Sequence, residues 1–268
     1  MRDDGPVAGR LGSVILAVTL LAIAARIVLL GDRIAHWDEG RVGYEILRYM
    51  ATGAWEYRPI VHGPFLPHVN KHVFAIIGAS DFSARLVVAV IGGLLPLAAW
   101  LYRDYLTRFE TVVLGVMLAV DPVLLYYSRF MRNDLLVATF AFVAFGLLLR
   151  LSVTGRARYL HLAAIAFGLS LTTKENAILY PLAIGGAVLL LFDHRLFLAR
   201  EGQPTWRTVA AGHLRRAGRV FRRYKFHLMI ALVEILVIVV VFYAPRAGST
   251  GGLGLWAAVA NPSTVPAV

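Results

Sequence analysis

The chain of 268 residues contains no cysteine, which excludes disulfide staples and thiolate metal sites. Acid is scarce as well. Only 16 Asp and Glu stand against 27 Lys and Arg, a formal net charge of +11. Such an excess can mark a nucleic-acid ligand, but the basic residues form no continuous soluble patch and are distributed between apolar stretches, so no nucleic-acid partner is expected. No internal repeat and no low-complexity tract occurs. The first apolar run has no convincing small-residue cleavage site and is expected to stay as a span.

Apolar residues are what the chain has in abundance. They make up 59% of it and the mean hydropathy is +0.68, more than a soluble domain of this length needs for its core. The fold class expected is an all-α polytopic membrane protein of about seven transmembrane helices, with a long first external loop bearing amphipathic helices. A bilayer takes about 20 apolar helical residues to cross. Seven segments approach that length: 11–30, 84–101, 109–127, 133–151, 158–173, 176–192 and 227–244.

Basic residues set the expected orientation. Arg103 and Arg108 follow the second span, Arg150, Arg156 and Arg158 the fourth, and Arg195 through Lys225 the sixth. With Arg2 and Arg10 they all fall inside if the N-terminus is cytoplasmic, as the excess of Lys and Arg in cytoplasmic loops requires. Residues 31–83, 127–133, 173–176 and 245 onward then lie outside. The basic loop 193–226 carries Leu214, Val220, Phe221 and Phe226 among its arginines. It reads either as an interfacial helix on anionic lipid headgroups or as a plain topology determinant. The domain reading is a transmembrane module over 1–245 and an external tail over 246–268, taken as the start of a missing C-terminal part.

Each outer segment holds a charged cluster. Asp38 and Glu39 open the first, ahead of an amphipathic stretch from Glu39 to Ala51 with Val42, Ile46, Leu47 and Met50 at helical spacing. Two adjacent carboxylates beside a low-dielectric phase do not both ionise easily, so a raised pKa suited to a general base is expected of one of them. The alternatives are a solvated pair, or Asp38 as the helix N-cap. A turn at Thr52-Gly53, aromatic Trp55 and Tyr57, and the breaks at Pro59, His62-Gly63-Pro64 and Pro67 precede a second short helix from Phe65 to Ile77.

Arg129, Arg132 and Asp134 form the second cluster, where basic residues in so short an outer loop run against the charge trend. Guanidinium groups there suit a phosphate, with a simple Arg/Asp pair as the alternative. Lys174 and Glu175 form the third, and Lys174 either joins a common phosphate pocket or snorkels to the interface. His68 and His72 share the spacing of two metal ligands, though surface histidines are the reading preferred without a third ligand. Arg26 and Glu234 fall inside spans and are expected to face the bundle interior, Arg26 within reach of the outer pocket.

The run DEGRVGYEILRYMATGAWEYRPIVHGPF, with RNDLLVATF and TTKENAILYP after it, resembles the motif series of GT-C glycosyltransferases of family 39, which includes the protein O-mannosyltransferases and the aminoarabinose transferases. It is also similar to archaeal membrane proteins described as flippase activity-associated. His62-Gly63-Pro64 stands where the aminoarabinose transferases carry Lys-Pro-Pro, so Arg41, Arg129 or Lys174 would have to replace a phosphate-binding lysine. The resemblance implies a multi-pass cell-membrane enzyme with an extracytoplasmic active site. It would move a sugar from a polyprenyl (dolichyl) phosphate donor to a hydroxyl on a glycan, lipid or protein acceptor. Asp38 and Glu39 would be catalytic, Arg41, Arg129, Arg132 and Lys174 would hold the donor phosphate, and His62, Asp134 and Glu175 would support them. Membrane lipids and glycosylation or flippase proteins are the partners implied, and no metal site is assigned. The alternative is a non-catalytic flippase or accessory protein binding lipid-linked glycans.

Overall fold

A computed structural model of the protein describes residues 6–58, 62–197, 206–246 and 254–261. These form helices and turns, with one antiparallel bridge pairing Trp55 with Arg246. The helices are α1 (Pro6–Ile27), α2 (Trp37–Thr52), α3 (Phe65–Ile77), α4 (Asp81–Leu94), α5 (Arg108–Val120), α6 (Pro122–Tyr127), α7 (Asp134–Thr154), α8 (Arg158–Thr173), α9 (Leu179–Phe197), α10 (Trp206–Tyr243) and α11 (Leu255–Ala260). A 3₁₀ segment, Leu95–Tyr102, prolongs α4, and another, Glu175–Ile178, leads into α9.

Among the described residues, four helical stretches are long and apolar enough to cross a membrane: Arg10–Ile27, Asp81–Tyr102, Asp134–Thr154 and Leu214–Tyr243. The expected third span, 109–127, is broken. Pro122 has no amide proton to continue the ladder, and Asp121 turns the chain by accepting the Leu124 amide at 2.8 Å. Arg26, fully buried, donates to the carbonyls of Leu118 at 3.3 Å and Ala119 at 3.0 Å, which the break exposes. Its guanidinium therefore closes the end of α5, which corrects the expectation that it reaches the outer pocket. Glu234 does face the interior, 3.0 Å from His161 Nδ1, whose Nε2 is 3.0 Å from His227.

The basic loop expected over 193–226 is corrected in part, because α10 runs without a break from Trp206 into the last span. No proline interrupts it. Residues 198–205 of that loop lie outside the described residues, as does most of the tail 246–268.

Segment 31–83 folds with the two short helices expected. The N-cap of α2 is His36 and not Asp38: its ring accepts the Asp38 amide at 3.2 Å, and Glu39 accepts the His36 amide at 2.9 Å, a capping box built on histidine. Val42, Ile46 and Tyr49 form the buried face of α2, whereas Leu47 and Met50 are exposed. Val42 and Ile46 join Phe65 and Leu66 of α3, Val88 of α4 and Leu135 and Leu136 of α7 in one core. Two glycines make this packing possible. A Cβ on Gly92 would stand 2.2 Å from Leu135 Cδ2, and one on Gly93 2.9 Å from the Ile23 backbone, so α4 lies closer to α7 and α1 than any larger residue allows.

Candidate active site

Glu39 anchors the face on which the three charged clusters meet. Its carboxylate accepts four hydrogen bonds: Arg85 Nε at 2.8 Å, Arg85 NH2 at 3.1 Å, the His36 amide at 2.9 Å and the Met131 amide at 2.8 Å. Arg85 in turn donates to the carbonyls of Leu30 at 3.0 Å and Arg33 at 3.2 Å. One buried pair thus ties the end of α1, the start of α2, α4 and the turn before α7. Burial alone would raise the Glu39 carboxyl, but Arg85 and the two amides outweigh it and hold it below the usual carboxylate range. The raised pKa expected of the acid pair is not found at Glu39, and its oxygens are occupied by the scaffold, not turned to a substrate.

Asp38 sits one residue earlier, about 100° around the helix, and so faces Arg132 and not Arg85. Its Oδ2 lies 2.9 Å from Arg132 NH1. Arg132 Nε reaches Asp134 Oδ2 at 2.9 Å, and Asp134 Oδ1 reaches Lys174 Nζ at 2.5 Å. Carboxylate, guanidinium, carboxylate and ammonium alternate in one chain drawn from three segments distant in sequence. The cations therefore stand beside the carboxylates and are only partly exposed.

A tight backbone joint sets this geometry. The Gly63 amide donates to Thr173 O at 2.8 Å, and Asn133 Nδ2 donates to Gly63 O at 3.3 Å. A Cβ on Gly63 would stand 2.2 Å from Thr172 O, so only glycine lets the segment between α2 and α3 lie against the end of α8. Thr173 closes that end by donating to Ser170 O at 2.6 Å, and Lys174 follows in extended backbone.

His62 adjoins the joint. Burial pushes its ring below the usual histidine range, with Asp38 and Asp134 acting against that and Lys174 and Arg132 adding to it. All four charged groups are thus its electrostatic neighbours. Arg41 is exposed one turn after Asp38, and with Glu45, Trp55, Tyr57, His62 and Asn133 it lines a cavity of about 120 Å³. Glu175 accepts a short hydrogen bond from Tyr57 and so supports the aromatic wall of this cavity. Burial and that bond push the Tyr57 hydroxyl well above its ordinary pKa.

Two expectations are corrected. Arg129 donates to the carbonyls of Ala25 at 3.2 Å, Val28 at 2.8 Å and Leu29 at 2.9 Å, finishing α1 as a cation does at a helix C-terminus, so it is engaged away from a donor phosphate. His68 is buried and not a surface histidine. Its Nε2 donates to Phe242 O at 2.8 Å and its ring packs on Trp55 and Tyr49; burial pushes its pKa down to about 4. No group of three or more His, Asp or Glu suited to a metal occurs among the described residues.

Sequence reasoning missed Arg85, Asn133 and the partnership of Tyr57 with Glu175. Arg85 carried a usable signal, being an arginine inside an apolar span of a protein in which such residues need a partner. Asn133 carried none.

No curated protein matches the chain. Solved structures that share its fold include ArnT from Cupriavidus metallidurans in the apo state, with 21% identity and a TM-score of 0.63, and the same protein bound to undecaprenyl phosphate, with 20% identity and a TM-score of 0.60. They are matched over 93% and 97% of this chain, which spans 42% of their length. The family model described as dolichyl-phosphate-mannose-protein mannosyltransferase matches residues 61–211. Covering more than half of the sequence and agreeing with the shared GT-C fold, that match shows that the chain belongs to this family of lipid-phosphate sugar transferases.

Proposed function

We propose that the protein transfers a sugar from a polyprenyl-phosphate donor to an acceptor hydroxyl, at a site on the extracytoplasmic face of a seven-span module whose N-terminus is cytoplasmic. The observation that carries this reading is Asp134 holding two cations, Arg132 at 2.9 Å and Lys174 at 2.5 Å, with a second carboxylate, Asp38, 2.9 Å from the same arginine. A phosphate diester competes with Asp134 for these cations. The bound undecaprenyl phosphate in one ArnT structure supports a polyprenyl carrier.

In the proposed reaction the acceptor oxygen attacks the anomeric carbon and its proton passes to Asp38. The bond from that carbon to the phosphate oxygen breaks. The extra negative charge of the departing polyprenyl phosphate falls on Arg132 and Lys174, which lie next to it and gain most when that charge develops. Arg41 stands one helical turn from the base and shields the same anion. Glu39 acts only through the scaffold.

The test is Asp38→Asn in a transfer assay with a lipid-linked sugar. Loss of a positioned base lowers the rate by ~10² to 10⁴, whereas donor binding is kept. Undiminished transfer in this variant would refute Asp38 as the base, whereas a wild type that binds the lipid-linked sugar and transfers nothing would favour a flippase, which needs the cations and not the carboxylate.

A further inference from the structure

We infer that Glu234, His161 and His227 form a proton-binding site between α8 and α10, in which a proton entering at His227 comes to rest on His161 beside the Glu234 carboxylate. This does not depend on the transferase reading. Glu234 lies within the apolar stretch Leu214–Tyr243, where a carboxylate needs a partner. His161 supplies one. Its Nδ1 stands 3.0 and 3.1 Å from the two carboxylate oxygens, and its Nε2 stands 3.0 Å from His227 Nδ1. Three ionisable side chains from two helices are thus joined in one line. His161 is separated from Lys174 by about 20 Å along α8, so the line is distinct from the charged chain of the candidate active site.

The hydrogen bonds are complete in two arrangements. With both imidazoles neutral, His161 donates from Nδ1 to the carboxylate and accepts at Nε2 from His227 Nδ1. His227 Nε2 is then bare, makes no hydrogen bond to a described residue and is not sealed inside the protein. A proton added there releases the Nδ1 proton to His161 Nε2: one N–H bond forms on His227 and one breaks. His161 ends protonated on both nitrogens, and His227 ends as its other neutral tautomer. The bond between the rings reverses direction and survives. A further proton on His227 would set two N–H groups face to face, so the line takes one. Its gain is an imidazolium against the carboxylate, a neutral pair in an apolar span.

The other charged and titratable groups at this end are engaged elsewhere. On α10, Tyr224 donates to Gly155 O at 2.8 Å, Arg223 lies over the Tyr224 ring and Lys225 over that of Phe226. Arg150 of α7 pairs with Asp104, and Arg158 of α8 donates to the Tyr159 hydroxyl. Among the described residues, no side chain outside the three hydrogen-bonds to the line.

The full chain, carrying nitrogen-15 histidine in lipid nanodiscs, would be followed by solid-state NMR from about pH 8 to about pH 5, the interval in which imidazoles commonly change charge. The protein has eight histidines, and His161→Gln and His227→Gln identify the two sets of signals. His161 is expected to pass from one N–H to two while the bare nitrogen of His227 moves from Nε2 to Nδ1, both at a single midpoint. Glu234→Gln keeps an acceptor for His161 and removes only the charge. It should abolish the joint transition and leave His161 with one N–H throughout. Separate midpoints in wild type, a His161 that never gains its second proton, or a joint transition unchanged in Glu234→Gln overturns the assignment. Should that variant not fold, the wild-type titration decides alone.

Discussion

Glu39 and Arg85 stand 46 positions apart and meet through two hydrogen bonds, 2.8 and 3.1 Å long, with both side chains almost sealed from solvent. This contact separates the two acids of the motif. Glu39 is drawn inward to organise the scaffold, and Asp38 is left facing the charged cluster. Removing one member of such a pair strands the other as a buried charge, at a cost of roughly 3–5 kcal/mol.

Glu39→Ala is therefore expected to destabilise the protein by that amount in detergent unfolding, and Glu39→Leu with Arg85→Met should recover most of it. The carboxyl sits below its ordinary value of 4.5 in the folded state, so its contribution is complete above that pH and is lost as the pH falls through the folded value. A single Glu39→Ala variant as stable as wild type would contradict the role given to the pair.

Lys174→Met should weaken binding of polyprenyl phosphate by about 10- to 100-fold, the worth of one charge-assisted hydrogen bond. Asp134→Asn removes the competitor for Lys174 and Arg132 and should tighten binding of the bare lipid phosphate while slowing transfer. Equilibrium binding and turnover, measured on the same preparations, check both.

Gly63→Ala should cost about 1–3 kcal/mol, as overpacking does, because the added carbon meets the Thr172 backbone at 2.2 Å and not a side chain that can swing away. Gly40→Ala is the control. It lies within α2 with no atom within 4 Å of an added Cβ and is expected to stabilise by about 0.5–1 kcal/mol. Thermal unfolding of the two variants should move in opposite directions.

His68 gives a pH dependence of definite sign. Its folded pKa of about 4 lies below the ordinary 6.5, so the unfolded chain takes up the proton first. Stability is complete above about 6.5, declines as the pH falls towards 4, and levels off below that. A gap of that size corresponds to roughly 3 kcal/mol at most. His68→Gln should flatten a plot of melting temperature against pH over this interval.

Much of the site was legible because its elements obey local rules. The spacing of Val42 and Ile46 reported α2, the pattern from Phe65 to Ile77 reported α3, and charges in short outer turns marked Arg132, Asp134 and Lys174. What stayed hidden depends on contacts between distant segments. Nothing local tells Glu39 from Asp38, since Arg85 and the Met131 amide alone decide which acid turns inward. Arg129 looked like a phosphate ligand because its charge is visible in the sequence, whereas the carbonyls at the end of α1 are not. The break at Asp121-Pro122 was legible in principle from the proline, but the apolar run across it concealed the turn.

The unbroken course of α10 has a mechanical consequence. Its 38 residues extend about 57 Å at 1.5 Å each, nearly twice the roughly 30 Å of a hydrocarbon layer. One end bears Arg215, Arg219 and Arg223. At the other, Phe242 O receives His68, the Tyr243 hydroxyl holds Leu171 O at 2.9 Å, and Arg246 just beyond bridges Trp55. A rod of this length carries roughly half of itself beyond one hydrocarbon layer, and no proline separates that part from the residues that hold His68 and, just past the helix end, Trp55.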